Sequence, residues 1–215
     1  MWFIASRPGS IVPCGVALGK DARKPPAVSS RLGRGRRASR ERRSVNRLEP
    51  VPWHANYLLR RALGAQLRAA VAERLSGRSE LRVLDVGCGG KPYAPLIEPY
   101  AAEYVGLDYR PGPNVDVVAR AERLPFDAQR FDALLCSQVL EHSDDPSAVL
   151  REAWRVLRPG GVAFVSTHGV VNYHPNPDDY WRWTQTGLAR LFKMTGRGCR
   201  SALRRTEGAQ PRSAT

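Results

Sequence analysis

The chain has 215 residues, 42% of them hydrophobic, enough for one domain with a real core. Its four cysteines, Cys14, Cys88, Cys136 and Cys199, form no CxxC pair, which speaks against a disulfide framework or a zinc site and suits a reducing compartment. The formal charge is +14, but residues 1–50 hold 12 Lys/Arg against 3 Asp/Glu, residues 196–215 hold 5 against 1, and residues 51–195 hold 17 against 16. The basic character sits at the two ends, so a nucleic-acid partner is disfavoured.

Residues 1–50 read as a disordered basic tail, with Arg31 to Arg43 a basic run that includes one acid, Glu41. The composition also resembles an organellar transit peptide. No apolar run there approaches the ~18 residues that span a membrane. The expected location is cytoplasmic. From Pro52 to Leu75 the residues Leu58, Leu59, Ala62, Leu63, Leu67, Ala70, Val71 and Leu75 recur at three- and four-residue spacing, which predicts a helix stopped by Ser76-Gly77. Trp53, His54 and Tyr57 at its start are read either as ligand contacts or as simple packing.

Leu81 to Val86 predicts a strand buried on both faces. Gly87, Cys88, Gly89 and Gly90 follow as a turn that brings backbone close to a ligand. Asp85 stands at the carboxyl end of that strand, where open α/β sheets bind ligands. Tyr104 to Leu107 predicts the second strand, ending in Asp108, 23 residues after Asp85. That spacing puts a carboxylate on a ribose hydroxyl pair and points to a nucleoside. Pro92 occupies the place of the third glycine of a dinucleotide fingerprint, which argues against a dinucleotide.

Further along, Tyr93 to Ile97 predicts a short helix, Val115 to Ala119 strand three and Phe131 to Cys136 strand four. Ser137 and Gln138 fall at the ligand end of strand four. His142 reads as a general base or acceptor holder, or equally as a hydrogen-bonded loop histidine. Asp144, Asp145 and Pro146 predict the start of a helix over Ser147 to Leu157, and Arg158-Pro159-Gly160-Gly161 turns into strand five, Val162 to Thr167. His168, His174, Asp178, Asp179, Tyr180, Trp181, Arg182 and Trp183 then cluster. They read as a substrate lid, as a structural aromatic plug, or as a metal site of His168, His174 and an Asp. The last lacks a recognised ligand spacing, so no metal is expected. Thr184 suits the N-cap of a helix reaching Phe192. Lys193 to Thr215 has no strand pattern and reads as a disordered basic tail.

VLDVGCG, GLD, LPF, FDALLCSQVLEH and RVLRPGG, in this order, resemble the class I S-adenosylmethionine-dependent methyltransferases, in particular their bacterial small-molecule branch. The resemblance covers Leu81 to about Phe192. It implies a Rossmann-like, mostly parallel α/β sheet over a domain at 51–192, with S-adenosyl-L-methionine as cofactor and a small-molecule acceptor. That fold carries seven strands, and five are legible here, so a sheet lacking its C-terminal hairpin, in an apparently truncated chain, is expected. Strand five would then be an open apolar edge.

The resemblance further implies that Asp85, Gly87, Cys88 and Gly89 shape the pocket under the amino-acid end of the cofactor. Asp108 and Tyr109 would take the ribose side, Ala121 and Glu122 the adenine, and Ser137 and Gln138 the reacting side. Arg120 stands where the family's adenine-reading acid is expected. His142 is the candidate catalytic residue, and His168, Tyr180 and Trp181 are the candidate acceptor contacts. Two other function classes stay open: an inactive relic that keeps the nucleoside-binding half, and a Rossmann dehydrogenase.

Overall fold

The computed structural model describes residues 2–7, 48, 50, 53, 57–169, 173, 177–196 and 200–204. The elements are β1 (Trp2–Ser6), α1 (Tyr57–Leu75), β2 (Leu81–Val86), α2 (Ala94–Ile97), β3 (Ala101–Asp108), β4 (Val117–Val118), β5 (Phe131–Ser137), α3 (Pro146–Val156), β6 (Leu157–Ser166), α4 (Gln185–Thr195) and β7 (Arg200–Arg204). They build one sheet in the order β4-β3-β2-β5-β6-β1-β7. The five strands from β4 to β6 run parallel, as the doubly wound reading requires.

Alternation along the central strands explains the layers. Val83, Ala133, Leu135, Val162 and Phe164 pack on one face against Leu63, Leu67, Ala70, Val71 and Leu75 of α1. Leu84, Val86, Leu134, Cys136, Ala163 and Val165 face the other way, onto Val149, Leu150, Ala153, Trp154, Leu188 and Phe192 of α3 and α4. A period of two on a strand sends successive side chains to opposite faces, and both faces here are covered. Each buried leucine or phenylalanine removes enough apolar surface to contribute about 1.5–3 kcal/mol. Trp154 meets Phe192 edge to face at 6.3 Å, tying α3 to α4.

The helix starts are set by their caps. Asp145 Oδ1 accepts from Ser147 N at 2.8 Å and Ala148 N at 3.0 Å, with Pro146 opening the helix. Thr184 caps α4 through Gly187 N at 3.0 Å, as expected.

Two expectations are corrected at the sheet edge. Residues 2–6, read as part of a disordered tail, form β1 and pair antiparallel with β6 from Trp2↔Ser166 to Ser6↔Val162. Residues 200–204, read as part of the other tail, form β7 and pair antiparallel with β1. The edge of β6 is therefore covered rather than open. Unpaired backbone groups at a sheet edge accept any strand of suitable length, and an antiparallel partner can come from a segment distant in sequence. Arg7 continues the contact, with its N–H on Gly161 O at 3.0 Å and its carbonyl accepting from Gly160 N at 3.0 Å. Lys193 to Thr195, read as the start of the C-terminal tail, instead continue α4, and residues 8–47, 197–199 and 205–215 of the predicted tails lie outside the described residues. No helix among the described residues is long and apolar enough to cross a membrane.

Candidate cofactor and acceptor site

The carboxyl ends of β2, β3 and β5 open into one cavity of about 620 Å³. That size suits a ligand of cofactor dimensions. Its floor is the glycine turn after β2. Gly87 adopts φ +69°, and its N–H reaches Leu107 O at 2.7 Å. A Cβ at Gly87 would stand 2.3 Å from Val139 Cγ2, so only glycine fits between the turn and the β5 loop. Gly89 adopts φ +49°, and its N–H donates to Asp108 Oδ2 at 3.0 Å. Arg110 N donates to Asp108 Oδ1 at 3.2 Å. The carboxylate at the end of β3 is thus held by two backbone amides, with acceptor capacity left over for a diol. Gly87, Gly89, Asp108, Tyr109, Ala121, Glu122 and Gln138 all line the cavity, as expected.

Three of the expected cofactor residues do not line it. Asp85 is buried on the α1 face, where Tyr104 Oη donates to its Oδ2 at 2.8 Å. Burial, with Asp85 alongside, pushes the Tyr104 phenol well above its ordinary range. Asp85 supports the turn from beneath. Cys88 is buried too, its Sγ at 3.6 Å from Asn114 O, and burial pushes its thiol up to about 12. That makes it a packed residue rather than a reactive one. Ser137 is corrected from a cavity residue to an internal one: it sits across from Ser166 in the β5–β6 register, with the two hydroxyls 3.0 Å apart. Its side chain falls on the α1 face of the sheet, and the cavity wall begins one residue later. Gln138 adopts φ +60°, unusual for a side chain of its kind, with its N–H on Ser166 O at 2.8 Å. Non-glycine residues held in this region concentrate at functional sites.

On the cavity rim beside Ala121, Arg120 pairs with Asp144 and lies 3.4 Å from Glu122 Oε2, while Glu122 Oε1 accepts from Asp144 N at 3.1 Å. The basic residue that replaces the expected acid is therefore balanced by two carboxylates on the cavity rim.

The far wall comes from the loop after β5 and from residues 177–184. His142 lines the cavity, and its Nδ1 is 2.7 Å from Asp178 O. A carbonyl only accepts, so the neutral ring carries its proton on Nδ1 and its lone pair on Nε2. His168 and Tyr180 also line the cavity, and Tyr180 Oη donates to Asp178 Oδ2 at 3.2 Å. Trp181 turns away from it: Nε1 donates to Ser143 O at 2.8 Å and the ring stacks on Trp183 at 5.8 Å. The lid and plug readings of this segment thus divide between neighbours, Tyr180 serving the cavity and Trp181 the packing. From α1 the cavity receives Leu59, Arg60 and Leu63, two to six residues beyond Tyr57, while Trp53 and Tyr57, read as ligand contacts or packing, do not line it. His54 and His174 lie outside the described residues. Among the described residues no group of His, Cys, Asp and Glu is arranged to hold a metal ion.

Comparison with known proteins agrees with the sequence resemblance. Residues 84–165 match the "Methyltransferase domain" family. A ubiquinone biosynthesis O-methyltransferase of Pseudomonas entomophila is 33% identical over 135 residues, covering 54% of each chain. One from Pseudomonas fluorescens is 29% identical over 150 residues, covering 61% of each. Residues 84–165 thus carry a methyltransferase-domain pattern, in agreement with the resemblance to the class I S-adenosylmethionine-dependent methyltransferases. It spans between about half and 61% of the length of these curated relatives. Among solved structures, YcgJ of Bacillus subtilis superimposes with a TM-score of 0.51 at 23% identity, over 61% of this chain and 68% of that one. A SAM-dependent methyltransferase of Archaeoglobus fulgidus gives 0.50 at 18% identity, over 63% and 68%. At these identities the likeness concerns the fold.

The methyltransferase cofactor is S-adenosylmethionine. The residues present fit it. The Gly87 turn leaves room that a Cβ would fill, and Asp108 is pre-oriented by two amides at the strand end where a ribose belongs. Sequence reasoning missed Glu141, which is fully buried directly before His142 in sequence, with Oε1 2.9 Å from His168 Nδ1. A lone acid directly after the apolar pair Val139-Leu140 was the available signal.

Proposed function

We propose that this methyltransferase transfers a methyl group to a hydroxyl oxygen of a small-molecule acceptor, with His142 as general base. Bound S-adenosylmethionine supplies an electrophilic methyl on its sulfonium. The observation that carries the reading is the pairing of His142 Nδ1 with Asp178 O at 2.7 Å in the cavity that also holds Asp108 and the glycine turn. Asp108 binds the ribose hydroxyls, and Ala119 to Glu122 border the base. Tyr180 and His168 meet the acceptor, and His142 Nε2 takes its proton as the oxygen attacks in line. Holding both reactants in one walled cavity provides most of the gain, up to about 7–11 kcal/mol in ideal cases. A positioned base adds roughly 10²–10⁴ in rate. The O-methyltransferase names of the relatives support oxygen as the acceptor atom.

The test is methyl transfer from methyl-labelled S-adenosylmethionine to a catechol, compared with an aniline and an indole as nitrogen and carbon acceptors. The proposal expects label on the catechol oxygen, and a kcat lower by about 10²–10⁴ in His142→Ala with cofactor affinity unchanged. Label on nitrogen or carbon alone, or full activity in His142→Ala, would overturn it.

A further inference from the structure

Helix α1 opens with two arginines, Arg60 and Arg61, and no acid stands in its first turn. The first acid of the helix is Glu73, 13 residues past Arg60 and roughly 20 Å along the axis. Positions three and four residues from Arg60 within the helix are Tyr57, Leu63 and Gly64, so no carboxylate there can pair with it. Arg61 Nη1 donates to Tyr57 Oη at 3.3 Å. Arg60 has no hydrogen-bond, ion-pair or ring partner among the described residues. The N-terminal turn is also the end of a helix dipole that disfavours cations. Neither the helix nor its packing gains from this charge.

The cavity does. Arg60 is half-buried and lines it, with Leu59 and Leu63 beside it on the same wall. The other two arginines of the lining are engaged elsewhere. Arg120 pairs with Asp144 and Glu122, and the Arg110 guanidinium lies over the Tyr109 ring at 4.8 Å. Arg60 therefore brings a guanidinium with its donors unused to a wall that is otherwise apolar. A few placed polar groups on an apolar lining are what orient a small ligand.

We infer that Arg60 anchors a carboxylate on the methyl acceptor, so that the acceptor class is a hydroxylated aromatic acid. The guanidinium fork matches a carboxylate by two parallel N–H···O bonds. Leu59 and Leu63 give the ring of such a molecule an apolar surface. Bound S-adenosylmethionine adds a sulfonium cation to the same cavity, which complements an anionic acceptor. The cofactor's own carboxylate is the other source of this chemistry. It carries an ammonium on the same carbon, and the α1 wall, two leucines and one arginine, offers that ammonium no acceptor.

The inference deepens the proposed methyl transfer and rests on it for the word acceptor, but binding alone tests the anchor. The probes are 3,4-dihydroxybenzoate and its neutral isostere 3,4-dihydroxybenzamide. Titration calorimetry on the full-length protein, saturated with the demethylated cofactor, should give a Kd at least tenfold lower for the acid than for the amide. In Arg60→Gln that preference should fall to within twofold of unity, and Arg60→Lys should keep part of it. Arg60→Met, which keeps the apolar stem, replaces the glutamine variant if the latter does not fold. Equal affinity for acid and amide in the wild type, or a preference that survives in Arg60→Gln, would overturn the anchor. So would a tenfold loss of S-adenosylmethionine affinity in Arg60→Gln, because the guanidinium would then hold the cofactor's carboxylate. Turnover with labelled S-adenosylmethionine separates the two readings. If neither probe is methylated, oxygen methylation fails while the binding preference still decides Arg60. If both are methylated with equal KM, oxygen methylation stands and the aromatic-acid assignment falls.

Discussion

The ribose carboxylate is the most exposed point of this account. In Asp108→Ala the ligand loses a charged acceptor at the end of β3. The carboxylate has about four acceptor positions, and Gly89 N and Arg110 N use two of them. The remaining two suit the two ribose hydroxyls. A hydrogen bond to a charged group contributes about 1.5–3 kcal/mol. The site is partly open to water, so the hydroxyls resolvate in the variant, and the loss from two bonds should not exceed the value of one fully desolvated bond. The expected weakening of S-adenosylmethionine binding is therefore about 1.5–3 kcal/mol, or roughly 10- to 150-fold in Kd. Asp108→Asn, which keeps one acceptor oxygen, should fall between wild type and alanine. Titration calorimetry on protein shown to be folded by its melting curve measures both. A Kd within twofold of wild type for a folded Asp108→Ala variant would refute the ribose assignment.

Gly87→Ala should be destabilised by at least about 1–2 kcal/mol from its left-handed backbone alone, with more from the contact at 2.3 Å to Val139 Cγ2. Gly89→Ala has nothing within 4 Å of the added carbon and should lose less; thermal melts compare them. Removing residues 1–7 deletes β1 and uncovers β6, so the melting temperature should fall and light scattering should show aggregation; an unchanged melt would mean that β1 contributes nothing to the fold. Leu67→Ala, at 0% exposure, should cost about 2–5 kcal/mol, whereas Leu58→Ala, at 76%, should stay within about 0.5 kcal/mol by denaturant titration. Asp145 is held below its ordinary value first by the Ala148 amide, and Glu152 first by the Arg155 guanidinium. Carboxyls depressed in the folded state contribute stability that is present above their unfolded values and lost as pH falls through their folded values. Stability should therefore decline below about pH 4, and Asp145→Asn, which keeps the cap without the charge, should flatten part of that decline.

The fold was legible wherever local chemistry and burial agreed. Near-continuous apolar runs in 81–86 and 131–137 marked strands covered on both faces, and Asp145-Pro146 marked the start of α3. The Asp108 spacing placed that carboxylate at the cavity because it reflects a fixed strand–turn–strand geometry. Other features depend on tertiary contacts, which sequence does not display. Ser137 ends β5 inside the sheet, whereas Gln138 leaves it at φ +60° and lines the cavity, its Nε2 donating to Ser166 Oγ at 3.1 Å. Tyr180 and Trp181 divide between cavity and packing by their partners, Asp178 and Ser143. β1 and β7 were illegible because β1 pairs with the edge of β6 and β7 with β1 through backbone groups of segments distant in sequence rather than through a pattern of their own. Glu141 escaped notice because its partners, Thr167 and His168, lie more than twenty residues away in sequence.

Equilibrium binding of labelled S-adenosylmethionine to the full-length chain, with NAD as control, tests the central claim most directly. The account predicts saturable one-to-one binding of S-adenosylmethionine, displaced by its demethylated product and not by NAD. Absence of binding by the folded protein, or displacement by NAD at comparable concentration, would contradict it.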